Sequence, residues 1–85
     1  MSYTVRYRRA AASALLGYLL RAADKPALMS VARDLDARLA RDPSGEGESR
    51  EPGQRWASFR PFSVLYRIDE PSRTVYVEAV SWAGY

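Results

Sequence analysis

The stretch RWASFRPFSVLYRID, Arg55 to Asp69, decides the fold. PFSVLYRID puts Phe62, Val64, Tyr66 and Ile68 on one side of an extended chain, the period-two pattern of a half-buried strand. RWASF before it reads as another strand, joined through Arg60 and Pro61. TVYVEAV after it (Thr74 to Val80) places Val75, Val77 and Ala79 on one face and Tyr76, Glu78 and Val80 on the other. EPSR (Glu70 to Arg73), with Pro71 at a turn-forming position, makes the last two strands a hairpin.

Upstream, YTVRYR alternates Val5 and Tyr7 against Thr4, Arg6 and Arg8, a first strand. Ala10 to Ala23 is rich in alanine and leucine, with Leu15, Leu16, Leu19 and Leu20 at helical spacing. In the next segment Asp24 is a cap and Pro26 lies in a first turn. Leu28, Val31, Ala32, Leu35 and Leu39 then recur on one stripe until Pro43 closes the run. Both apolar stripes are assigned to the core. Asp42 to Gln54, with three glycines and two prolines, reads as a loop. The expected class is α+β: a single domain over residues 1–85, with two N-terminal helices packed on one face of a four-stranded antiparallel sheet in the order β-α-α-β-β-β. Two helices cover one face only, so the other is left for solvent or a partner.

Composition narrows the chemistry. The 85 residues include no histidine and no cysteine, which removes the usual zinc and thiolate sites, so no metal and no cofactor is expected. No apolar run approaches the roughly 18 residues of a membrane span, and the N-terminus lacks the apolar stretch of a signal peptide, so a cytoplasmic protein with no membrane partner is expected. Charge is uneven: residues 1–41 hold eight basic and three acidic groups, residues 42–54 one and four, residues 55–85 four and three. Of thirteen basic residues only Lys25 is lysine. Arginine suits bidentate phosphate contacts and stacking on bases.

Gly53 to Trp56 as G-x-R-W, the strand ending VLYRID and the terminal VYVEAV resemble, in this order, the RelE/ParE superfamily of bacterial type II toxin-antitoxin toxins. The run Gly47, Glu48, Ser49, Arg50 before the second strand is similar to a subgroup of it. The resemblance spans nearly the whole chain. It implies a cognate antitoxin as partner, and either ribosome-dependent cleavage of mRNA, as in RelE-type members, or inhibition of DNA gyrase, as in ParE-type members. A degenerate member would only bind its antitoxin. The RelE-type catalytic pattern does not transfer whole: its arginine before the third-strand apolar run falls on Ser63, its later arginine on Ala83, and its second-strand lysines at or near Gln54 and Trp56.

A metal-free RNA cut needs a base for the 2′-hydroxyl, positive charge at the phosphate and an acid for the leaving oxygen. Arg55, Arg50, Glu48 and Tyr85 are the catalytic candidates, and Arg60, Arg67 and Trp82 the RNA-binding ones. Arg50, Arg55 and Arg60 are expected to converge on phosphate if the chain bends near Pro61. The plain alternative for each arginine is a solvated charge, or a partner for Glu48, Glu51 or Asp69. Trp56 is expected in the core and Trp82 at the surface.

Overall fold

A computed structural model describes residues 2–84. The elements run β1 (Thr4–Tyr7), α1 (Arg9–Arg21), α2 (Lys25–Arg41), β2 (Glu48–Glu51), β3 (Gln54–Phe59), β4 (Phe62–Asp69) and β5 (Thr74–Trp82). The α+β class and the two helices on one sheet face stand as expected. The Asp24 carboxylate accepts a hydrogen bond from the Ala27 N–H at 3.1 Å, so α2 starts where its cap and its proline put it. β3 and β4 meet in a tight turn at Arg60 and Pro61, joined by a cis peptide bond.

The sheet has five strands rather than four, in the order β1-β5-β4-β3-β2. The added strand, β2, lies inside the segment expected as loop. All four of its residues are exposed, so it carries no apolar alternation to reveal it. An edge strand made of Glu, Ser, Arg and Glu resists pairing with other chains. The sheet is also mixed: β1 runs parallel to β5, and the other pairs are antiparallel. Alternation fixes which residues share a face but not which way a strand runs. The direction of β1 is set by the helices that follow it.

A bulge corrects the reading of β5. Leu65 pairs with Ala79 but Tyr66 pairs with Val77, so Glu78 is an extra residue. Beyond it the faces exchange: Val80 is buried at 5% exposure and Ala79 is only half-buried. The core is then Ala11 of α1, Leu28, Leu35 and Leu39 of α2, and Ala57, Phe59, Phe62, Val64, Tyr66, Val75, Val77 and Val80 of the sheet. The leucines of α1 divide. Leu15 and Leu19 pack against this core, whereas Leu16 and Leu20 stand 57% and 65% exposed.

Candidate functional site

The uncovered sheet face follows from the register. Gln54 pairs with Arg67, Arg67 with Tyr76, and Tyr76 with Arg6, which sets these four in a row across β3, β4, β5 and β1. Glu48, Trp56 and Leu65 form a second row. Alternation opposite the buried Val64 and Tyr66 turns both rows away from the helices.

Two guanidinium groups on this face lie over aromatic rings. Arg8 sits 4.5 Å from the centroid of Tyr76, and Arg50 sits 4.9 Å from that of Trp56. Between them Arg67 donates from Nε to Glu78 Oε1 at 2.9 Å and pairs through Nη2 with Glu51 Oε1 at 3.6 Å. Gln54 Nε2 donates to the same Glu78 oxygen at 3.3 Å. Arg50 also pairs with Glu48 at 3.4 Å. Trp56 is not a core residue: it is half-buried on this face, and its indole N–H donates to Ser63 Oγ. The site therefore offers flat cationic stacks flanking a carboxylate-pinned arginine, suited to bases and phosphates. Among the described residues no three potential ligands come together as a metal site.

Of the candidates from sequence, Arg50, Arg67 and Glu48 fall on this face, and Tyr85 lies outside the described residues. Arg50, Arg55 and Arg60 do not converge. Arg55 pairs with the buried Tyr66 and so lies on the helix-bearing face, because alternation sends it opposite to Trp56. There its Nε and Nη2 donate to Glu46 O at 3.4 and 3.2 Å, and Nη2 also to Gly47 O at 3.1 Å. Arg60 lines a separate cleft of about 410 Å³ beside α2, with Ser30, Asp34 and Arg38. Trp82 is half-exposed, but the bulge at Glu78 carries it to the helix side, against the rings of Tyr18 and Phe62. Arg6, Arg8 and Tyr76 were not singled out. Only the parallel β1–β5 pairing, which the alternation in YTVRYR does not contain, makes them neighbours.

The segment Asp42–Gly47 is held by three side chains. Besides Arg55, the Tyr66 hydroxyl lies 2.7 Å from Pro43 O and 2.6 Å from Glu46 O, sharing one hydrogen between them. Arg38 binds the Glu46 carboxylate at 2.9 Å, which raises its pKa. Burial pushes the Tyr66 phenol above its ordinary value. Tyr7, half-buried and donating to Asp36, is raised well beyond the usual tyrosine range.

These shifts give a pH dependence. A group whose folded pKa is raised stabilises fully below the unfolded value, about 10 for tyrosine, and that contribution is lost as pH climbs above it. Stability measured by urea unfolding should fall from about pH 10 upward. Tyr66→Phe and Tyr7→Phe should each flatten that fall, and alkaline profiles unchanged in both variants would remove this account.

No family model matches the sequence, and neither does any curated protein. Solved structures do. A chain of the RelBE2 toxin-antitoxin complex of Mycobacterium tuberculosis superposes with TM-score 0.74 and 27% identity, over 96% of this chain and 92% of that one. A chain of the archaeal RelE-RelB complex of Pyrococcus horikoshii gives TM-score 0.70 and 13% identity, over 99% and 98%. A chain of the chromosomal ParDE system of P. aeruginosa gives 0.62 and 18%, over 94% and 95%. With the order of elements, these likenesses support a toxin of the RelE/ParE superfamily.

Proposed function

We propose that this chain is the toxin subunit of a type II toxin-antitoxin module, and that its uncovered sheet face engages messenger RNA on the ribosome in the cytoplasm. The observation that carries the reading is the pair of guanidinium–ring stacks, Arg8 on Tyr76 and Arg50 on Trp56, on either side of Arg67. Bases stack on such surfaces without regard to sequence, and the arginines supply positive charge to the phosphates. The likeness to a RelBE2 chain supports the same class.

Arg8→Ala should weaken binding to ribosomes programmed with mRNA by about 1–3 kcal/mol and lower the salt slope by about one counterion. Affinity and slope both unchanged would detach RNA from this face. Induced expression, followed by primer extension on cellular messages and by a gyrase supercoiling assay, tests the target: cleaved messages with normal supercoiling are expected, and the reverse would overturn the reading. That reverse, inhibition of DNA gyrase without chemistry, has one feature in its favour. Ser63 stands where the resemblance places a RelE-type arginine, and its hydroxyl accepts the Trp56 N–H.

A further inference from the structure

Two arginines of the uncovered face are already occupied by carboxylates of the same chain. Arg67, between the two ring stacks, has Nε on Glu78 Oε1 at 2.9 Å and Nη2 on Glu51 Oε1 at 3.6 Å, and Arg50 has Nη2 on Glu48 Oε1 at 3.4 Å. The acids come from separate places. Glu48 and Glu51 belong to the edge strand β2, and Glu78 is the residue that the bulge adds to β5. Gln54 Nε2 donates to the same Glu78 oxygen, which fixes that carboxylate over the face, and its side chain is only 25% exposed. A carboxylate fixed there opposes a bound phosphate twice: it occupies the arginine, and it repels the anion that would replace it. The rings of Tyr76 and Trp56 meet no such opposition, because a base stacks by its flat surface. A polyanion without bases gains nothing from them.

We propose that Glu48, Glu51 and Glu78 determine specificity: they hold Arg50 and Arg67 against anions that offer charge alone and yield to a strand whose bases also stack, so the face selects single-stranded RNA over other polyanions. Discrimination of this kind weakens the wrong ligand more than the right one. Exchange is open to the right ligand, since the arginine side chains are 41% and 50% exposed and ion pairs at such sites contribute little to the fold. The inference rests on the RNA reading of this face for the favoured ligand; the exclusion of bare anions does not depend on it. The plain alternative is that the carboxylates orient the arginines for phosphate. The two roles differ in sign: removing a barrier tightens anion binding, and removing an orienting partner weakens it.

The test measures binding of the full chain to labelled single-stranded RNA of about ten nucleotides and to labelled inorganic polyphosphate of equal charge. The native chain should prefer the RNA by about tenfold or more. Glu48→Gln with Glu51→Gln and Glu78→Gln should raise polyphosphate affinity by about tenfold and RNA affinity by less, and should steepen the salt dependence for polyphosphate by about two counterions, one for each freed arginine. Glu78→Gln alone keeps the charged edge strand intact should the triple variant aggregate, and should raise polyphosphate affinity by about threefold. Polyphosphate affinity unchanged or lowered in both variants, equal gains for both ligands, or a native chain that binds the two alike would each overturn the proposal. A native chain that binds no RNA, with polyphosphate affinity gained in the variants, ends the RNA reading and supports the carboxylates as the barrier to bare anions.

Discussion

Replacing Gly47 with alanine should destabilise the fold by about 2–5 kcal/mol, combining a left-handed backbone penalty with overpacking. Gly47 has φ of +62°, and a Cβ there would lie 2.0 Å from the Trp56 carbonyl oxygen and 2.7 Å from the Ala57 Cβ. Neither neighbour is a flexible side-chain tip, so the strand or the segment before it must move. Movement on that scale withdraws the Gly47 and Glu46 carbonyls from Arg55 and the Glu46 carbonyl from Tyr66. Gly53→Ala is the matched control. Its φ is +79°, but the added Cβ meets only Arg67 Nη1, at 3.3 Å. The end of an arginine gives way easily, so about 1–2 kcal/mol is expected there. Urea unfolding of both variants decides: equal losses would mean that close approach to Trp56 is not what requires glycine at 47.

Phe62→Ala should cost about 3–5 kcal/mol, the range for a large buried aromatic. Phe62 is fully buried, and its ring lies 6.0 Å from that of Tyr18 and 6.1 Å from that of Trp82. It is the core's link between the β3–β4 turn, α1 and the end of β5. For a domain of this size, each kcal/mol lowers Tm by about 4–8 °C, so a fall of about 12–40 °C is expected by differential scanning calorimetry. Trp82→Ala removes a half-exposed member of the same ring cluster and should lower Tm by less. A larger fall for Trp82→Ala than for Phe62→Ala would show that the cluster is held from its rim.

The motifs that suggested the family are now physical. In G-x-R-W, Gly53 makes the turn between β2 and β3, Arg55 holds the preceding segment by its carbonyls, and Trp56 carries Arg50 on the other face. Gly47 of the G-E-S-R run lies where a Cβ would strike the Trp56 carbonyl of β3. Helix α2 was legible because Asp24, Pro26 and the leucine stripe are local signals, and the β4–β5 hairpin because EPSR is one. β2 was not, since a polar edge strand has no buried side to impose a period. The bulge at Glu78 was not, since one added residue leaves a pattern that alternates just as well in either phase. The candidate site suffered from the same two blind spots. Arg50 and Arg67 lie on the candidate face and Arg55 on the opposite one, Trp82 is exposed as expected but on the helix side, and Arg8 with Tyr76 required knowing that the first strand meets the last.

That meeting has a consequence for how the chain is made. Among the described residues β1 pairs with β5 alone, and α1 lies chiefly across β5, so the first elements synthesised depend on β5. Helix α2 and the β2–β3–β4 meander connect neighbours in sequence and form early, while closing β1 onto β5 spans nearly the whole chain and forms late. A nascent chain stopped before Thr74 has neither the seam that seats α1 nor the ring on which Arg8 stacks. The face that β1 and β5 share therefore comes into being only after β5 has been synthesised.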